Sequence, residues 1–161
     1  MEAIVSRLAD RLKAIDDRGN PFRAMGHSLG GLLLRLALDR ANPVHLESLI
    51  MAGTPNRSPR LARMAVRVPP FRWMAGDAGR RLADPGWYAS LPSPRVRYLI
   101  IAGTRGPTGP LSPFGDDPND GIVSVSETLI DSRDRLIEVP AFHTFLMNHP
   151  RVREMICGRE E

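Results

Sequence analysis

The stretch Gly26-His27-Ser28-Leu29-Gly30-Gly31 fits the pattern G-x-S-x-G, in which a strand turns sharply into a helix with a serine at the apex. Such a turn strains the serine backbone so that Oγ stands clear of the sheet, and the residues two before and two after it must lack bulk. Gly26 and Gly30 occupy those two positions. The stretch therefore predicts a nucleophilic serine at Ser28.

The flanking residues supply the strand and the helix that this pattern requires. Residues 22–25 are extended after Pro21, and residues 32–38 form an apolar run of helical length. Asn42 and Pro43 then end that helix. A glycine-rich loop with an incidental serine is the alternative, but the succession of strand, tight turn and helix favours the first interpretation.

Length and composition favour a single globular domain over residues 1–161. With 161 residues, 42% of them hydrophobic and 25% charged, the chain can bury one core but not two substantial ones.

No apolar run reaches eighteen residues and the amino terminus lacks signal-peptide character, so no membrane span is expected. Cys157 has no cysteine to pair with, and a cytoplasmic location is expected. The net charge of +4 comes with no nucleic-acid-binding motif, so no nucleic-acid partner is expected.

The rest of the chain alternates between helix and strand patterns. Apolar side chains recur every three or four positions over residues 2–17, at Ile4, Val5, Leu8, Leu12 and Ile15, which predicts an amphipathic helix with these residues in one buried stripe. Three further strands and a closing helix are predicted at residues 45–52, 97–102, 135–139 and 150–156. This alternation indicates an α/β fold with a mainly parallel sheet flanked by helices, whose ligand site lies at the carboxyl ends of the strands.

Residues 57–90 break the alternation. They combine helical spacing with a cluster of four aromatic residues and one methionine, namely Phe71, Trp73, Met74, Trp87 and Tyr88. We interpret them as a small cap insertion. A longer crossover helix packed on the sheet is equally compatible with the pattern, because aromatic clusters serve cores as readily as binding walls.

A serine hydroxyl needs a base to take its proton, and that base needs a carboxylate to orient it. Four histidines are available. His143 lies in a loop predicted at residues 140–144, after the last strand, where its side chain can reach over the serine. His149 is the weaker candidate because it precedes Pro150 at a helix start, His45 begins a strand, and the side chain of His27 is expected to point away from the hydroxyl.

Three aspartates, Asp116, Asp117 and Asp120, occupy the loop after the third strand. Asp120 is preferred because Gly121 after it lets the backbone turn, and the apolar pair that follows anchors the loop. The resulting order along the chain is serine, aspartate, histidine, which is the order in α/β-hydrolases.

Four stretches together resemble the α/β-hydrolase superfamily, specifically its bacterial lipase and esterase branch. They are residues 26–31, Gly53-Thr54-Pro55, residues 119–124 and residues 143–146. The resemblance covers nearly the whole chain and implies that Ser28 is the nucleophile, Asp120 the acid and His143 the base. It also implies that the backbone N–H of Leu29 donates a hydrogen bond to the oxyanion. No cofactor and no metal is implied.

One departure from the family concerns the residues before the sharp turn at Ser28, the elbow, which follows the elbow strand at residues 22–25. Members have several strands there, and a loop after an early strand supplies a second oxyanion donor, whereas one helix precedes the elbow strand here. A missing donor costs about 2.7–4 kcal/mol of transition-state stabilisation. The elbow strand would also lie at a bare sheet edge, where another copy of the chain could pair. A gene fragment or a misplaced start codon is favoured over a shortened protein that completes its sheet by self-association.

The expected function is hydrolysis of small-molecule or lipid carboxylic esters through an acyl-enzyme on Ser28. Two alternatives stay open at this point. One is an acyltransferase or thioesterase that uses the same three residues, because fold and nucleophile do not specify the second acceptor. The other is a catalytically silent truncated hydrolase or binding module.

Overall fold

A computed structural model of the chain describes residues 1–67 and 76–157, without the side chain of Asp77. The strands are β1 (Phe22–His27), β2 (Leu46–Ala52), β3 (Arg97–Gly103) and β4 (Leu136–Val139). The helices are α1 (Glu2–Asp16), α2 (Leu29–Ala41), α3 (Arg60–Ala65), α4 (Gly76–Leu82), α5 (Pro85–Ala89), α6 (Val125–Thr128), a 3₁₀ helix (His143–Asn148) and α7 (Pro150–Ile156). None of the helices in these two ranges is long and apolar enough to cross a membrane.

The four strands form one parallel sheet in the order β1-β2-β3-β4. The second halves of β2 and β3 are buried, which explains why they read as continuous apolar runs in the sequence. The predicted α/β fold with a mainly parallel sheet flanked by helices is confirmed. Because the strands are parallel, the loops after β1, β3 and β4 meet at one edge of the sheet.

Helices cover both faces of this sheet. On one face α1 and α2 pack over Ala24, Leu49 and Met51, and on the other the 3₁₀ helix and α7 pack over Ile50, Ile101 and their neighbours. The buried stripe of α1 runs through Val5, Ala9 and Leu12. The expectation that Ile4 and Ile15 belong to this stripe is wrong, since both are exposed. They lie roughly a quarter turn from its centre, where the helix surface turns toward solvent.

In the described part of the chain, β1 pairs with β2 and its other side is a sheet edge. The backbone N–H of Ser28 donates to the carbonyl of Ala52, so every second residue before it also faces β2. The backbone groups of Met25 and His27 consequently face the edge. The elbow strand β1 therefore lies at a sheet edge in the described part of the chain, as expected from the sequence. Self-association through this edge stays a prediction.

The segment 57–90 contains α3, α4 and α5 among its described residues. Tyr88 and Leu91, at the end of this segment and just after it, pack against Leu32 of α2. Phe71, Trp73 and Met74 lie outside the described residues. Whether the segment acts as a cap, and whether residues 1–161 form a single domain, stay predictions.

Candidate active site

Ser28 lies between the last residue of β1 and the first residue of α2. Its backbone has φ 54° and ψ −129°, a region that residues with a side chain rarely adopt. Two hydrogen bonds hold it there: its N–H donates to the carbonyl of Ala52 at 2.9 Å, and its carbonyl accepts from Gly31 N–H at 3.1 Å. The strained turn expected from the sequence is present, and the surrounding sheet stabilises it.

The glycines around Ser28 differ in how closely they are packed. A β-carbon on Gly26 would lie 2.5 Å from the backbone nitrogen of Gly31, and one on Gly31 would lie 2.0 Å from Thr54 Oγ1. Outside its own helix backbone, a β-carbon on Gly30 would meet no atom of the described residues within 4 Å. The expectation that Gly30 must lack bulk is therefore wrong in this fold. The close contact falls one residue later, because Gly31 is the residue of α2 that faces Thr54 after β2.

His143 lies at the start of the 3₁₀ helix, after β4, in a segment where the sequence predicts a loop. Its Nε2 lies 2.9 Å from Ser28 Oγ. Its backbone N–H donates to the carbonyl of Asp120 at 2.9 Å, and the residue is largely buried. The fold thus brings together two residues that are 115 positions apart in the chain.

Asp120 is the aspartate that meets His143. Its Oδ2 lies 2.6 Å from His143 Nδ1, and its Oδ1 accepts hydrogen bonds from the N–H groups of Ile122 at 2.9 Å and Val123 at 2.8 Å. The residue is 2% exposed. Of the two other aspartates in this loop, Asp116 is exposed and Asp117 bonds to Ser126 Oγ at 2.5 Å.

When Asp120 is ionised, these hydrogen bonds define the tautomer of His143. An ionised carboxylate only accepts hydrogen bonds, so His143 Nδ1 must donate its hydrogen to Asp120. In a neutral ring the other nitrogen, Nε2, is then an acceptor, and it faces the hydroxyl of Ser28. This is the tautomer that can take a proton from a serine while a buried carboxylate stabilises the resulting imidazolium.

Asn119 supports the loop that carries Asp120, a role that the sequence analysis missed. It is fully buried, and its Nδ2 donates to the carbonyls of Pro107 at 2.9 Å and Asp117 at 3.1 Å. Its Oδ1 accepts from Gly121 N–H at 2.9 Å. An asparagine two residues before a glycine is typical of a turn in which the side chain bonds the backbone, and that signal was available in the sequence.

The other histidines have different surroundings. His27 lies against His143, as described below, and His45 bonds Asp16 Oδ1 at 3.0 Å beside the start of β2, at the opposite end of the strands from Ser28. His149 precedes α7, and its buried Nδ1 has no hydrogen-bond partner among the described residues. Within residues 1–67 and 76–157, no group of three or more His, Cys, Asp or Glu side chains could hold a metal ion.

Comparisons with known proteins find similarity in structure. No protein-family model matches the sequence, and curated proteins give no significant match. The mature form of the Bacillus licheniformis lipase BlEst2 is 21% identical, with a TM-score of 0.71 over 96% of this chain and 72% of that one. The propeptide form of the same lipase is 20% identical, with a TM-score of 0.71 over 98% of this chain and 40% of that one.

A thermophilic esterase is a more distant neighbour, at 14% identity and a TM-score of 0.54 over 97% of this chain and 71% of that one. At these identities the comparisons bear on the fold. This chain shows the parallel sheet with helices on both faces described above. The architecture of this chain is accordingly a partial α/β-hydrolase fold.

Proposed function

We propose that this chain hydrolyses carboxylic esters through an acyl-enzyme on Ser28. The observation that carries the proposal is the hydrogen-bonded series from Ser28 Oγ through the ring of His143 to the carboxylate of Asp120. A nucleophile, a base within hydrogen-bonding distance and a third group that orients the base are what acyl transfer to serine requires. The lipase and esterase folds that resemble this one lend further support.

In the first half of the reaction, Ser28 Oγ attacks the ester carbonyl carbon while His143 Nε2 takes the hydroxyl proton. The carbonyl oxygen becomes an oxyanion, and the N–H of Leu29 donates to it. Leu29 is the first residue of α2, and the first N–H groups of a helix have no partner within that helix. Collapse of the oxyanion breaks the bond to the alkoxy oxygen and leaves the acyl group on Ser28 Oγ, while His143 gives its proton to the departing alkoxide, which leaves as the alcohol.

In the second half, water replaces the alcohol. His143 Nε2 takes a proton from the water as its oxygen attacks the acyl carbon, and a second oxyanion forms. Its collapse breaks the bond to Ser28 Oγ, which recovers its proton from His143. The products are the carboxylic acid and the free enzyme, so one ester and one water yield one acid and one alcohol.

Apolar side chains next to these residues favour a substrate with an apolar group. Ile122 is 48% exposed, Phe142 43% and Phe145 62%, and each lies within two residues of Asp120 or His143 in the chain. Apolar surface left open beside polar groups that converge is typical of a site for a partly apolar ligand. We infer that the substrate is a small-molecule or lipid ester with an apolar acyl or alkyl part.

The test is hydrolysis of a p-nitrophenyl ester by the chain and by Ser28→Ala, with Ser90→Ala as the matched control on an exposed serine. We expect turnover in the chain and in Ser90→Ala, and loss of turnover in Ser28→Ala. Equal rates in the chain and in Ser28→Ala would contradict the proposal.

Product analysis with added methanol separates hydrolysis, which yields mainly the acid, from acyl transfer, which yields mainly the methyl ester.

A further inference from the structure

We propose that His27 is a positioning residue that holds the base His143 at the correct distance from Ser28. The inference rests on the proposed function, and it assigns a task to a side chain that the mechanism does not use. His27 is the last residue of β1 and directly precedes the nucleophile. Its imidazole contacts His143 and has no hydrogen bond to Ser28 among those of the described residues.

The contact between the two histidines has a defined hydrogen-bond direction. His27 Nε2 lies 3.0 Å from the carbonyl oxygen of His143. A carbonyl oxygen only accepts, so Nε2 of His27 carries the hydrogen and donates it. The two ring centroids are 4.7 Å apart, with the planes tilted by 41°, so the rings also pack against each other.

His143 is therefore held at three points besides its bond to Ser28. Asp120 supplies two of them, through its carboxylate to Nδ1 and through its carbonyl to the backbone N–H. His27 supplies the third, at the backbone carbonyl. This third bond comes from the strand that ends at Ser28, so it links the base directly to the segment that carries the nucleophile.

The charge state of His27 suits this task. Burial lowers the pKa of His27 and the nearby His143 lowers it further, while the hydrogen bond to the His143 carbonyl and the charge of Asp120 act in the opposite direction. The net effect is a lowered pKa, so the ring stays neutral at neutral pH. A neutral donor can hold the base without placing a second positive charge beside the imidazolium that forms during catalysis.

The experiment compares His27→Leu, which removes the donor, with His27→Gln, whose amide nitrogen reaches about as far as Nε2 of histidine. We expect kcat of His27→Leu to fall by about 10- to 100-fold with little change in KM, because small displacements of a catalytic group cost up to about 10² in rate. His27→Gln should recover most of that loss. His45→Leu, on a histidine at the opposite end of the strands, is the matched control and should keep the parent kcat.

A second readout does not depend on turnover. The hydrogen between His143 Nδ1 and Asp120 should give a low-field proton resonance in the parent chain. His27→Leu should shift this resonance and speed its exchange with water, and His27→Gln should restore it. Failure of ester hydrolysis in the parent chain would reject the proposed function alone, because the resonance still reports whether His27 positions His143.

Several results would overturn the positioning role. One is parent-like kcat and an unchanged resonance in His27→Leu, and another is an equal loss in the leucine and glutamine variants. If His27→Leu does not fold, His27→Asn against His27→Gln decides, since the asparagine amide is too short to reach the carbonyl. A lower kcat in the asparagine variant supports the role, and equal kcat values reject it.

Discussion

Gly31 of α2 lies against Thr54, the second residue after β2, so closely that a β-carbon on Gly31 would come within 2.0 Å of Thr54 Oγ1. Thr54 is fully buried, and its hydroxyl donates to the carbonyl of Gly26 at 3.5 Å. The contact brings the first turn of α2 down onto the strand ends. It thereby contributes to the position of Ser28, three residues before Gly31.

We expect Gly31→Ala to destabilise the fold by about 1–3 kcal/mol, the usual cost of adding an atom to a closely packed core. Gly30→Ala is the matched control one residue earlier, where the added methyl meets no atom within 4 Å in the part of the chain that the structure describes, its own helix backbone aside. A helical alanine in place of glycine should raise stability by about 0.5–1 kcal/mol. Urea unfolding of both variants measures the two effects, and a Gly31→Ala as stable as the parent would contradict the packing argument.

Asp120→Asn should lower kcat for ester hydrolysis on the order of 10⁴-fold, because an amide cannot stabilise the His143 imidazolium or hold its tautomer. The side-chain oxygen would still accept from the backbone N–H groups of Ile122 and Val123, so the loop should keep its shape. Asp116→Asn, on an exposed neighbour, should leave kcat unchanged. Steady-state kinetics of the two variants test the assignment, which fails if both behave alike.

Arg35 of α2 is 4% exposed, and its guanidinium donates to Asn56 Oδ1 at 2.8 Å and, through two nitrogens, to the carbonyl of Pro92 at 2.8 and 3.2 Å. Arg35→Met would remove the donor from the buried Asn56 Oδ1 and from the partly buried Pro92 carbonyl, so we expect a loss of about 1–3 kcal/mol in the free energy of unfolding. Arg40 lies on the same helix as Arg35 and forms an exposed ion pair with Glu2 of α1. Arg40→Met breaks this pair and should cost about 0–1 kcal/mol. Equal losses in urea unfolding would argue against a structural role for Arg35.

The chain has two tyrosines, and both should resist ionisation in the folded state. Partial burial and a 2.5 Å hydrogen bond to Asp134 raise the pKa of Tyr98 to about 12, and burial raises the pKa of Tyr88 as well. A folded pKa above the unfolded value of about 10 stabilises the fold below pH 10, and this stabilisation disappears as the pH rises through 12. Phenolate absorbance should therefore rise near pH 10 in the chain unfolded in urea and at a higher pH in the native chain. In native Tyr98→Phe the rise in absorbance near pH 12 should be absent.

The sequence was informative wherever structure depends on neighbours along the chain. The β2 and β3 segments appear as apolar runs because the sheet buries both of their faces, and their predicted ends agree with the structure to within one residue. The turn at Ser28 could be predicted because a few adjacent residues specify it. The helical periodicity of α1 was also visible. Val5 and Leu12 were correctly placed in its buried stripe, whereas Ile4 and Ile15 were wrongly included and Ala9 was left out.

Contacts between distant segments were decided by the tertiary structure. The sequence has three aspartates in one loop. Packing of that loop against the start of the 3₁₀ helix places the carboxylate of Asp120, 23 positions before His143, against the His143 ring. Other tertiary contacts set His27 beside His143, bury Arg35 of α2 against Asn56 and Pro92, and make Gly31, not Gly30, the crowded glycine because it faces Thr54. Local pattern therefore determined the four strands, the helices α1, α2 and α7, and the turn at Ser28, but not the 3₁₀ helix at His143 or the short helix α6. Which side chains meet depended on how those elements pack, because hydrogen bonds and steric contacts act over a few ångströms in space, whatever the separation along the chain.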